Sequence, residues 1–331
     1  MRQNFLVTTE IPTLRTAYPP VQIEKKGAIK NSETVSRELS RGTLVCGRYE
    51  IEALTARGGF ATLYRAWDVV DEQRVALKIP HKKTDNCAAA RKDLFREASI
   101  VSDVTHKGVV QALDFGLMSD HSPFLVMSWC EGETLVEILK RGALPLKDSL
   151  AVLAQLMEAL RAIHQAGYFH GDLTPSNVMV QGVESGQIQV CLIDFGLATQ
   201  AQAVPRQEEG NNLIGTPAYM APEKILGKVP DCRADIYATG AIFYRCLTGC
   251  NLFRRSSVVE TLRAHLVAPL EPLPVALCPE QERTVLQCFM EKLLARNRED
   301  RIQNAETARA FVTAMLATLS GTGSHTYALA S

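Results

Sequence analysis

Apolar residues recur in steps of two through YEIEAL, ATLYRAWD and RVALKI, the pattern of strands with one covered face. Residues 92–103 change to helical spacing, and two more short strand-like runs follow before about residue 124. Beyond LVMSWCEGETL the texture differs. SLAVLAQLMEALRAIHQAG, ADIYATGAIFYRCLTG and AETARAFVTAMLATL place apolar residues at helical intervals, so the second half is predicted to be mostly helical. VMV and IQVCLI, on either side of QGVESGQ, predict a hairpin within it. Residues 1–45 mix Pro19 and Pro20 with charges and hydroxyls in no sustained period, which predicts a disordered or loosely docked tail with room for one short strand. The pattern therefore predicts an α+β domain over residues 46–317, with a small β-rich N-lobe (46–127), a larger mainly helical C-lobe (131–317) and a short C-terminal tail (318–331).

Composition narrows the partners more than the fold. With 331 residues and 46% apolar content the chain can bury a large core. Lys plus Arg and Asp plus Glu number 36 each, so no overall field favours nucleic acid or an anionic membrane. The nine cysteines are scattered with no CxxC pair, which argues for reduced thiols and against a zinc site or a disulfide framework. No apolar run reaches the roughly 18 to 20 residues of a membrane span, and the start of the chain lacks a signal-peptide core. A cytoplasmic location is expected.

The candidate chemistry lies in HGDLTPSNVMV and IDFGLA. Asp172, with Asn177 five positions on and Asp194 at the end of an apolar run, is the set that Mg-ATP phosphoryl transfer requires: one carboxylate to take or orient a hydroxyl proton, and two hard oxygen ligands for Mg²⁺. An isolated aspartate is as a rule a surface or capping residue; the order and spacing carry the signal. Lys78 in VALKI is the second feature. A lysine on an apolar strand must find negative charge, because a buried unpaired ammonium is too costly, unless it lies on an exposed edge.

VALK, DLFREASIV, HGDLTPSN, IDFG, GTPAYMAPE, DIYATG and REDRIQ follow one another in the order of the protein-kinase signature. Over about residues 49–315 the chain resembles a eukaryotic-like (Hanks-type) Ser/Thr protein kinase, and GRYEIEALTARGGFATLYRAWD is similar in style to bacterial members. The resemblance implies a bilobal protein-kinase-like fold, ATP and Mg²⁺ as cofactors, and a protein substrate with a Ser/Thr acceptor. It makes Asp172 the catalytic base, Asn177 and Asp194 the metal ligands, and Glu97 the helix partner of Lys78, whose ammonium is shared with the phosphates. Ala56, Arg57, Gly58, Gly59, Phe60 and Ala61 form the phosphate-covering turn, with Leu63 and Ala76 beside the nucleotide. Met127 becomes the gatekeeper, and the backbone of Ser128, Trp129 and Cys130 meets the adenine edge.

The departures from the pattern matter as much. Ala56 and Ala61 stand where the phosphate loop usually has glycine, which leaves the backbone donors but stiffens the turn. Gly171 removes the arginine that normally receives an activation-loop phosphate. Thr174 replaces the lysine that holds the transferring phosphoryl, so a neutral hydroxyl stands where a cation would stabilise developing charge. RIO-type kinases and aminoglycoside-phosphotransferase-like enzymes also lack that lysine. Within residues 197–214 the only hydroxyl is Thr199, so activity is expected not to depend on phosphorylation there, and autophosphorylation is expected around Ser32, Thr34, Ser36, Ser40 and Thr43. His170 reads as a packed core residue, Thr216 as a neighbour of Asp172, Glu223 and Arg301 as a buried ion pair, and Asp235 as an anchor for the catalytic-loop backbone. A pseudokinase scaffold and a small-molecule phosphotransferase stay open as alternatives.

Overall fold

The computed structural model describes residues 38–59, 61–81, 87–200 and 215–319, which fall into two compact units: 38–102 with 111–129, and 103–110 with 130–319. The first unit is built on an antiparallel sheet of β1 (Leu44–Val45), β2 (Tyr49–Arg57), β3 (Ala61–Asp68), β4 (Gln73–Pro80), β5 (Ala112–Leu117) and β6 (Pro123–Ser128), in the order β1-β2-β3-β4-β6-β5. The two-residue period sorts its faces. Tyr64 and Ala66 on β3, Val75, Leu77 and Ile79 on β4, and Phe124 and Val126 on β6 bury one face against Val45, Tyr49 and Ile51. The alternate residues take the other face, where Leu63 lies opposite Lys78 and Ala76 opposite Met127. Part of the expected tail docks here: Leu39 packs against the core and donates its N–H to the Tyr64 hydroxyl at 3.1 Å, and β1 pairs with β2.

Helix α1 (Cys87–Asp103) starts five residues before the amphipathic stretch that predicts it. The three alanines 88–90 carry no apolar-polar contrast, yet alanine has the highest intrinsic helix propensity, so the helix extends where the periodicity is silent.

The second unit contains β7 (Glu133–Thr134), α2 (Leu135–Lys140), α3 (Leu146–Gln165), β8 (Tyr168–Phe169), β9 (Val178–Gln181), β10 (Gln189–Leu192), β11 (Thr199–Gln200), α4 (Pro222–Ile225), α5 (Arg233–Thr248), α6 (Val258–Val267), α7 (Glu280–Leu293) and α8 (Ala305–Leu319). The expected hairpin is β9–β10, with Val180 opposite Val190 and Val178 opposite Leu192. Gln155 of α3 clamps it, donating to the Ile188 carbonyl at 2.6 Å and accepting from the Val190 N–H at 3.0 Å. Residues 103–110 belong to this unit because they run beside β10, where Leu192 donates to the Gly108 carbonyl at 2.8 Å and accepts from the Val110 N–H at 3.0 Å. Helices α7 and α8 close the core through stacked Phe289 and Phe311 rings, 4.1 Å apart. No described helix is long and apolar enough to cross a membrane.

Candidate active site

Lys78 lies on the sheet face opposite the apolar core and finds its negative partner on α1. Its Nζ donates to both carboxylate oxygens of Glu97, at 2.6 and 2.9 Å, with the lysine side chain 16% and the glutamate 4% exposed. The strand alternation that buries Leu77 turns Lys78 to the face it shares with Leu63, Ala76 and Met127, so four of the sequence candidates stand on one surface. The β2–β3 turn puts Ala56 opposite Leu63 and closes on a hydrogen bond from the Gly58 N–H to the Ala61 carbonyl at 2.9 Å. Arg57 in that turn forms an exposed ion pair with Glu38, while Phe60 lies outside the described residues. At the end of β6 the Ser128 N–H donates to the Gln111 carbonyl at 2.9 Å, so this N–H is already committed within the sheet. Trp129 lies under the Arg65 guanidinium, 5.8 Å from ring centroid to carbon.

Asp172, Thr174, Asn177 and Asp194 are assembled within the second unit. The Asp172 carboxylate accepts from the Thr216 N–H at 3.0 Å, and its carbonyl accepts from Asn177 Nδ2 at 2.9 Å. The β9–β10 register brings the two metal candidates to neighbouring strand ends, since the Ile193 N–H donates to the Asn177 carbonyl at 2.9 Å and Asp194 follows. Asp194 is exposed with φ 65°, a left-handed conformation that aspartate tolerates better than most residues. Thr174 is 5% exposed and begins the 3₁₀ turn Pro175–Asn177, its carbonyl accepting from the Asn177 N–H at 3.0 Å.

The loop before Asp172 is fixed by Asp235 of α5. Its carboxylate accepts from the His170 N–H at 2.8 Å and the Gly171 N–H at 3.0 Å, and it contacts His164 Nε2 at 3.0 Å. Burial works to raise the Asp235 pKa, but the His164 bond and charge, with the N–H donors, outweigh it and hold the carboxyl below its ordinary range. Gly171 has φ 78°, and a Cβ built there would lie 2.8 Å from the Leu197 carbonyl oxygen, so only glycine fits. His170 is buried, 4.9 Å from the Phe195 ring. Glu223 and Arg301 form a two-pronged buried pair at 2.8 and 3.0 Å. The Thr216 contact to Asp172 is made through the main chain.

Cys130 is in the second unit, with its thiol 2.8 Å from that of Cys191; the bond between them lowers the Cys130 pKa and raises that of Cys191. Two residues of this neighbourhood escape the sequence reading. His164 is a helix residue with no local motif, and Lys224, whose ammonium donates to the Gly171 carbonyl, is marked in sequence only by following the APE triplet.

The protein kinase domain family matches residues 49–312. The chain is 34% identical over 262 residues to serine/threonine-protein kinase pkn2 of Myxococcus xanthus, covering 78% of this chain and 31% of the relative. It is 35% identical over 269 residues to the DNA damage-responsive serine/threonine-protein kinase RqkA of Deinococcus radiodurans, covering 80% and 39%. With serine/threonine-protein kinase pkn3 of Myxococcus xanthus the identity is 32% over 283 residues, covering 81% and 50%. The chain thus spans about a third to a half of the length of these curated relatives.

Proposed function

The chain belongs to the protein kinase domain family, and from that membership we propose that it is an ATP- and Mg²⁺-dependent Ser/Thr protein kinase that transfers a γ-phosphoryl group to protein hydroxyls. The observation that carries the reading is the fixing of Asp172: separate elements hold its carboxylate, its carbonyl and the N–H groups before it, in the unit that also places Asn177 and Asp194 at adjoining strand ends.

The donor set suits Mg²⁺. Asn177 commits its amide N–H to Asp172, so its amide oxygen is the atom with ligand capacity, and Asp194 adds a carboxylate. Two hard oxygens of this kind leave the other positions to phosphate oxygens and water. When bound, ATP brings the transferable group and Mg²⁺ neutralises charge on its phosphates. The residues of the chain do the rest. Asp172 orients the acceptor hydroxyl and takes its proton. Lys78, held by Glu97, binds phosphate oxygens. The main chain of residues 56–61 covers the phosphates, Leu63, Ala76 and Met127 border the nucleotide, and the segment Ser128, Trp129, Cys130 meets the adenine. Thr174 offers a hydroxyl in the place of a phosphoryl-holding lysine.

The closed Lys78–Glu97 pair favours catalysis over a scaffold role, and the buried Glu223–Arg301 pair and the Asp235 anchor favour a protein acceptor over a small molecule. Independence from activation-segment phosphorylation is supported by Gly171, a position where no arginine fits; residues 201–214, on which that reading also rests, lie outside the described residues. The direct test is incubation with labelled ATP and Mg²⁺, with and without a generic basic protein. Label should enter the acceptor with wild-type protein and be nearly lost with Lys78→Met. No transfer by the wild type, or equal transfer by both, overturns the proposal.

A further inference from the structure

Both cations that normally flank the catalytic aspartate are absent, and the structure gives each position another task. Gly171 occupies a left-handed bend with no room for a side chain, and Thr174 is buried at the start of the turn that carries Asn177. Asp172 therefore has no basic side chain from its own loop.

A cation arrives from a distant segment instead. Lys224 lies on α4, fifty-three residues from Gly171, and its Nζ donates to the Gly171 carbonyl. A Cβ built on Gly215 would lie 3.5 Å from Asp172 Oδ1, 3.5 Å from Lys224 Nζ and 3.2 Å from the Met220 methyl, so acid and ammonium stand against the same glycine. Both line a cavity of about 20 Å³ with Thr216, Tyr219, Met220 and Asp235, room for one water. The helix that carries Lys224 is pinned by its neighbour, since Glu223 is locked to Arg301.

Charge pairing singles out which carboxylate the ammonium serves. Burial holds the Lys224 pKa below its ordinary value, and three acidic groups oppose it in favour of the ammonium: Asp172, Asp235 and Glu223. Glu223 is neutralised by Arg301, and Asp235 is satisfied by His164 and two N–H donors. Among the described residues the Asp172 carboxylate accepts one hydrogen bond, from the neutral Thr216 N–H.

We propose that Lys224 is a positioning residue that returns to Asp172 the positive charge its loop lacks, holding the Gly171 carbonyl in place and offsetting the carboxylate's repulsion of the incoming phosphoryl oxygens. The proposal rests on the kinase reading. A fixed cation beside a reacting anion acts most strongly where water is excluded, and its effect belongs to the transition state, when the phosphoryl group moves toward the hydroxyl beside Asp172.

The test compares the wild-type chain, Lys224→Gln, Lys224→Arg and Thr174→Lys/Lys224→Gln for kcat and ATP KM on a protein acceptor, with thermal unfolding to confirm folding. Glutamine keeps a donor for the Gly171 carbonyl but carries no charge. Lys224→Gln should lower kcat roughly ten- to a hundredfold while ATP KM stays within about twofold. Lysine at 174, or arginine at 224, should recover a substantial part of the lost kcat. Lys224→Gln at wild-type kcat overturns the proposal, as does a folded Lys224→Gln whose loss neither relocated nor conserved charge repairs. Asp172→Asn separates the premises: if it matches an active wild type, the kinase assignment of Asp172 fails, whereas a crippled Asp172→Asn beside an unaffected Lys224→Gln removes only the role of Lys224.

Discussion

The bend at Gly171 shows how one residue decides what its loop can carry. A left-handed φ of 78° costs a residue with a Cβ roughly 1 to 2 kcal/mol, and the Leu197 carbonyl 2.8 Å away adds a steric clash. Arginine introduced at 171 would thus strain the loop that Asp235 fixes. Gly171→Arg is expected to lower stability by about 2 kcal/mol or more and to reduce phosphoryl transfer, with no gain of phosphate-dependent activation. Unfolding curves and initial rates check this; a stable, faster Gly171→Arg would show that the bend is not fixed. Lys78 illustrates the opposite case, a side chain whose need for a carboxylate was readable from one line of sequence, because a buried ammonium on an apolar strand must be paired and Glu97 supplies two oxygens.

Elements are held together by buried polar contacts whose loss has a direction that can be stated in advance. Glu223 on α4 and Arg301 before α8 are among the least exposed charged side chains, at 5% and 0%. Glu223→Gln leaves Arg301 without its counter-charge and should cost about 3 to 5 kcal/mol, read as a lower urea midpoint at unchanged slope. His265 links α6 to α5, its Nδ1 2.8 Å from the Tyr237 hydroxyl. Burial pushes its pKa down to about 4, so between there and about 6.5 the unfolded chain binds a proton that the folded one refuses. The His265 contribution is therefore complete above pH 6.5 and declines as pH falls to about 4, by up to about 3 kcal/mol. His265→Gln should flatten that part of the stability profile relative to wild type; parallel profiles would contradict it. The strands and long helices were legible because their apolar periods differ, two against about three and a half. The start of α1 was not, since alanines give no contrast, nor was the membership of residues 103–110, which is decided by pairing with β10 far along the chain. Lys224 was hidden for a related reason: α4 is four residues long, too short to carry a period, and only the folded chain reveals the Gly171 carbonyl beside it.

At the scale of the whole molecule, the candidate residues fall into two sets: Lys78 and Glu97 with the β2–β3 turn in one unit, and Asp172, Asn177 and Asp194 in the other. The grouping of the second set was legible because aspartate, asparagine and aspartate keep their order and spacing, and the β9–β10 hairpin turns that spacing into proximity. Part of the support around it was legible too, Thr216 beside Asp172 and Asp235 under the loop backbone, whereas His164 and Lys224, which complete that support, carry no signal of this role in the sequence. A kinase built without an arginine reader at 171 should reach full initial rate without prior phosphorylation. Phosphatase-treated protein is expected to show no lag; a long lag abolished by phosphate on Thr199 or Thr216 would refute this. The central claim, that Asp172 handles the acceptor's proton, is tested most directly by measuring kcat and ATP affinity for Asp172→Asn with folding verified. The account predicts a fall in kcat on the order of 10² to 10⁴ with ATP affinity nearly unchanged. Wild-type turnover, or an equal loss of turnover and affinity, would contradict it.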